Sequence, residues 1–149
     1  MYPFIRGAGW VLNLAWLLVF LGGAGWGLSQ SRHFETGLAV LLLALLVHIL
    51  PYFALVGAAA RLGPAPDRAR ARNLALQLKA ARLLPAILIV LGLLAGPVLG
   101  FLQAGGRVPG WTHGIWMALV FLAHLRVWSR NLVALDLVNE LLELEAETG

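Results

Sequence analysis

The stretch GLAVLLLALLVHILPYFALVGAAA, residues 37–60, runs for 24 positions without a charged side chain. A helix rises about 1.5 Å per residue and crosses a hydrocarbon core of about 30 Å in about 20 residues, so this stretch is long enough to span a bilayer. Lipid offers backbone amides no hydrogen-bond partner, and the run lacks the alternating period of a barrel strand. It therefore reads as a helix that satisfies its own backbone. Three further apolar stretches, 9–28, 83–105 and 111–130, read the same way. The fold class expected is an all-α integral membrane protein. It is a single domain over residues 1–149, a four-transmembrane-helix up-down bundle with an amphipathic cytoplasmic loop helix within 61–82 and a cytoplasmic helical extension over 131–149.

Charge orients these spans. Of the 11 basic residues, Arg6, Arg61, Arg68, Arg70, Arg72, Lys79, Arg82, Arg126 and Arg130 fall on one side, with Arg32 and Arg107 opposite. By the positive-inside tendency, both termini and the middle loop are cytoplasmic, in a bacterial inner membrane. The sequence pI of about 10.7 then reflects topology and implies no nucleic-acid partner. The use of Arg over Lys, with abundant Ala, Leu and Gly, fits a GC-rich bacterial genome. The first span is longer than the apolar core of a secretory signal and is read as a retained helix.

Composition narrows the chemistry. At 149 residues, 60% hydrophobic, there is no room for a separate soluble catalytic domain. The absence of cysteine excludes disulfides, thiolate metal sites and iron–sulfur clusters, leaving His, Met, Asp and Glu as metal ligands. Neither a phosphate-binding glycine loop nor HExxH occurs, and Ser29, Ser31 and Ser129 have no evident triad partners.

Small residues mark close helix approaches: Gly23 and Gly27 in the first span, and the double GxxxG of Gly92, Gly96 and Gly100 in the third. Pro51 and Pro97 predict bends that free carbonyls near residues 47 and 93. Trp10 and Trp26 stand where interfacial anchors belong, which leaves Trp16 as an aromatic placed within the span. Pro64, Pro66 and Asp67 open the loop, and Arg68, Arg72, Lys79 and Arg82 then share a helical face suited to an anionic leaflet.

The extension carries an acidic stripe of Asp136, Glu140, Glu143 and Glu147, with leucines around the rest. Exposed leucine on that scale requires a partner. One solution docks the extension on the chain's own basic segment. The other is a coiled contact with another subunit through Leu125, Trp128, Leu132, Leu135, Asn139, Leu142 and Ala146 at heptad spacing.

The candidate site is His48 with His124, since ionisable residues inside a span are costly and face the bundle interior. Counted from the outer ends of their helices the two histidines share a depth, which allows a b-type heme held between them with Arg126 near a propionate. Counted from the inner side they do not, because Arg61 follows His48 by 13 residues whereas Arg126 follows His124 by two. Hydrogen bonds to helix carbonyls, or a proton or quinone role, are the other readings of the pair. His33 and His113 form a second pair near the outer surface, either a metal site with Glu35 or ordinary interfacial hydrogen bonding. The leading functional expectation is a small inner-membrane subunit or anchor of a larger, respiratory assembly with other membrane subunits, binding heme b or quinone. The alternative is a homo-oligomeric small transporter or membrane-stress protein without a cofactor.

Overall fold

The computed structural model describes residues 2–23, 29–63 and 68–148, with side chains described from residue 3 to residue 144 of these. All regular structure among these residues is helical: α1 (Tyr2–Gly23), α2 (Gln30–Leu62), α3 (Ala69–Ala104) and α4 (Thr112–Thr148). Each is long and apolar enough to cross a membrane. Trp26, Gly27, Pro64, Pro66 and Asp67 lie outside the described residues, as do the side chains of Ala146 and Glu147.

Helix ends follow local chemistry. The Ser29 hydroxyl accepts the Arg32 amide at the start of α2, and Gly63 ends α2 at φ 64°, a conformation that favours glycine. At the start of α4 the Gln103 side-chain oxygen accepts the His113 amide at 3.2 Å, so the last turn of α3 caps its neighbour. Pro51, Pro85 and Pro97 all lie inside continuous helices. The basic stretch expected to form a separate surface helix is instead the first turns of α3, which continue through Pro85. A break there would require a second costly helix nucleus and would give up the packing of buried Ala71 and Ala75.

Two apolar clusters hold the helices together. The first joins Leu12 and Trp16 of α1, Val40, Ala44 and Val47 of α2, Ile89 and Leu93 of α3, and Val120 and Trp128 of α4. The second gathers Ile5, Ala54, Leu55, Ala58, Ala59, Ala75, Leu135 and Val138, with Leu76, Leu78 and Leu142 against it. The leucine-rich end of α4 therefore packs on its own chain. Leu125, Trp128, Leu132, Leu135 and Leu142, the residues at heptad spacing, face these internal clusters. Apolar contact carries this docking. Among the described residues the ion pair at this end is Arg6 with Asp136, at 3.7 Å and half exposed, a geometry that contributes little.

Glycines set the closest approaches. In α3, Gly92 faces Val120, Gly96 faces Met117 and Gly100 faces His113, so the double GxxxG is the groove that receives one face of α4. Gly23 faces the His33 ring, and Gly9 faces the Trp128 indole, where an added Cβ would fall 2.1 Å from Nε1. Gly57 has open space around it. We expect Gly9→Ala to destabilise the protein by about 1–3 kcal/mol through overpacking, and Gly57→Ala to leave stability unchanged or raised, as read by thermal unfolding in detergent. Equal melting temperatures for the two variants would contradict the packing described.

Candidate functional site

The described core holds four strongly buried polar side chains: Asn13 at 8% exposure, His48 at 2%, His124 at 0% and Asn131 at 2%. Helix geometry explains why three of them meet. His48 stands on the face of α2 shared by Ala44, Val47 and Pro51, all buried. His124 follows Val120 by one turn on the face of α4 that enters the interior, and Asn13 precedes Trp16 by three residues on the buried face of α1.

His48 Nε2 lies 2.9 Å from His124 Nδ1, and His124 Nε2 lies 2.9 Å from Asn13 Oδ1. One chain of hydrogen bonds thus ties α2, α4 and α1. Its polarity follows from the acceptor at its end. A carboxamide oxygen only accepts, so His124 Nε2 donates to Asn13. With a neutral His124, Nδ1 then accepts, and His48 Nε2 donates to it. His48 Nδ1 and Asn13 Nδ2 close the chain with no protein partner. Trp16 stacks on the His124 ring with centroids 5.4 Å apart and planes 24° apart, and Phe121 lies nearly parallel at 6.2 Å. The two histidine rings are perpendicular, at 88°. Aromatic contact and hydrogen bonds together fix the orientation of His124.

These distances bear on heme. A metal–imidazole bond is about 2 Å long, so two nitrogens on opposite faces of one iron stand about 4 Å apart. The facing nitrogens here are 2.9 Å apart and hydrogen-bonded to one another, and the other nitrogen of His124 is engaged by Asn13. This arrangement does not fit an axial ligand pair. Arg126 lies two residues from His124 but is exposed on the outside of α4 rather than gathered with the histidines.

The outer pair is built differently. His113 Nδ1 lies 2.9 Å from the Gly96 carbonyl, and Trp116 Nε1 donates to the Gly92 carbonyl at 2.8 Å. Glycine at 92 and 96 opens the α3 backbone to these α4 side chains, so polar atoms rather than apolar contact alone join the two helices. The His33 and His113 rings are perpendicular at 6.2 Å, while Glu35 is exposed. No group of three His, Asp or Glu side chains is placed to hold a metal among the described residues. An apolar groove of about 510 Å³ between α3 and α4, lined by Val98, Trp111, Ile115 and Trp116 among others, includes none of the histidines.

Comparison with known proteins leaves the site to speak for itself: no family model, curated protein or solved structure matches this chain.

Sequence reasoning singled out both histidines but missed Asn13 as their third member. The available signal was Asn13 and Trp16 three residues apart within the first span, on one helical face. Removing His124 strands a donor on His48 and an acceptor on Asn13, whereas removing His48 or Asn13 strands one group on His124. We expect His124→Ala to lower stability by about 2 kcal/mol or more, and by more than either His48→Ala or Asn13→Ala. Unfolding in mixed micelles checks the order, and equal losses for the three variants would contradict it.

Proposed function

We propose that the chain is a cofactor-free, non-catalytic anchor or subunit of a membrane assembly. In this reading it is an up-down bundle in the bacterial inner membrane, with both termini and a short helical stalk in the cytoplasm. The observation that supports this reading is the second apolar cluster, which draws on all four helices and which this reading sets past the level where the membrane ends. That level is marked by Arg82 of α3 standing near Arg130 of α4, and by Lys79 Nζ lying 5.3 Å from the centre of the Tyr52 ring. The positive-inside tendency assigns this side to the cytoplasm. The 33, 36 and 37 residues of α2, α3 and α4 correspond to about 50–55 Å. Each helix thus has about 20 Å beyond the hydrocarbon core. The second cluster accounts for where that excess goes.

The same placement reconciles the two ways of counting histidine depth. Arg61 closes the part of α2 that belongs to the stalk, so it does not mark the membrane surface. Residues 54–62 of α2 accompany Leu135 and Val138 of α4 below the membrane. His48 and His124 are level, as their direct hydrogen bond requires.

In this reading the His48, His124 and Asn13 chain locks the bundle. A conduction role is poorly supported, because His113 and His124 are separated by three turns in which buried Val120 packs against Gly92. The respiratory and electron-carrying version of the anchor loses its main support with the 2.9 Å separation of the two imidazoles.

Two measurements test the proposal. Single cysteines placed at Arg107 and at Asn139 are expected to react with a membrane-impermeant maleimide from opposite sides of the membrane, Asn139→Cys from the cytoplasmic side. Labelling of both from one side would contradict the topology. Protein purified from heme-competent cells is expected to show no Soret band. A Soret band abolished in the His48→Ala, His124→Ala double variant would establish a b-type cytochrome instead.

A further inference from the structure

Past Arg126 and Arg130, α4 carries one more row of apolar side chains that its own protomer leaves uncovered. Val133 is 66% exposed, Leu137 is 39% exposed, and half-buried Leu141 follows one turn later. At about 100° per residue, these three lie on the same side of α4 as Leu119, Arg126 and Arg130. Arginine on a lipid-facing surface is expensive except near the headgroups. The row beyond the two arginines therefore stands in water, where an apolar stripe marks a contact surface.

Charge indicates what covers it. Beside the row, α4 presents the exposed carboxylate of Glu140, while exposed Glu143, further round the helix, accepts a hydrogen bond from Asn139. Arg70 and Arg72, at the start of α3, are also exposed. Ala75 shares a cluster with Leu135 and Val138, and both helices lead away from the membrane from that level. One turn further out, Arg70 and Arg72 stand at the depth of Glu140 and Glu143. Among the described residues no ion pair joins these bases to these acids within the protomer.

A membrane holds every copy of a protein at the same depth. Groups that are level within one protomer are therefore level between two protomers related by a twofold axis along the membrane normal. We propose that Val133, Leu137 and Leu141 form a dimerisation face for a second copy of this chain. The same row of the partner copy packs against it, and Arg70 of each copy, on the other side of α3 from Arg72, pairs with Glu140 of the other. Such an interface is self-complementary: one patch, used twice, satisfies both charge sets. The inference rests on the cytoplasmic placement of the stalk proposed above.

The chain has no cysteine, so Leu137→Cys introduces a unique thiol. Membranes containing this full-length variant are treated with a short bis-maleimide and, separately, with a membrane-impermeant maleimide. Thermal unfolding verifies that each variant is folded. The expected result is a cross-linked species of twice the chain mass, with none from Leu42→Cys on the lipid-facing side of α2. Adding Glu140→Arg weakens dimerisation about tenfold, and adding Arg70→Glu to that variant restores it. A folded Leu137→Cys protein that labels from the cytoplasmic side yet gives no dimer, or a dimer indifferent to charge reversal, overturns the proposal. A thiol that labels only from the opposite side overturns the membrane placement itself, and the dimer with it.

Discussion

A polar atom buried in an apolar helix bundle is cut off from water, and its burial is costly unless the protein supplies a partner. Three side chains from three helices supply two hydrogen bonds to one another, leaving His48 Nδ1 and Asn13 Nδ2 at the ends, and those two bonds dictate the relative height of α1, α2 and α4. Sliding any of these helices by one turn, about 5.4 Å, would break a 2.9 Å hydrogen bond and strand both groups in an apolar interior. Apolar side chains specify little about height, because one apolar surface slides over another at small cost. The histidine and asparagine chain supplies the register that apolar packing leaves loose.

The α3 and α4 pair obeys the same constraint by a different device. Beyond the Gln103 cap, two polar contacts run from His113 and Trp116 to the carbonyls of Gly96 and Gly92, and both depend on an absent side chain. A glycine row in a membrane helix is usually discussed as permitting close backbone approach. Here the row also exposes carbonyl oxygens as acceptors. Pro97 adds to this, since it withdraws the amide that Leu93 would otherwise receive. Joined to α4 in this way, α3 needs no member in the histidine chain.

Much of this was legible in the sequence. Hydropathy and length alone mark four apolar helices, because no other arrangement of such a chain satisfies its backbone in lipid. The helical period alone places His113, Met117, Val120 and His124 on one face, and that face is the one received by Gly92, Gly96 and Gly100. What escaped was anything that depends on two helices at once. Arg61 looked like the inner end of the second span because arginines commonly stand at membrane surfaces. The packing of Ala54, Leu55, Ala58 and Ala59 with Leu135 shows that α2 continues beside α4 instead. The leucines of the extension fitted a heptad as well as an internal core, since both need one apolar stripe and periodicity cannot tell which surface receives it. Asn13, a single amide among apolar residues, gave no sign from its own helix that its oxygen would meet His124.

The direct bond between the two imidazoles is the central claim, and nuclear magnetic resonance of ¹⁵N-histidine-labelled protein in micelles reads it without mutation. An N–H···N bond transmits a scalar coupling between its two nitrogens. The account predicts such a coupling between His48 Nε2 and His124 Nδ1, with His124 protonated at Nε2, where it donates to Asn13. Two imidazoles without a mutual coupling, or a His124 protonated at Nδ1 alone, would contradict it.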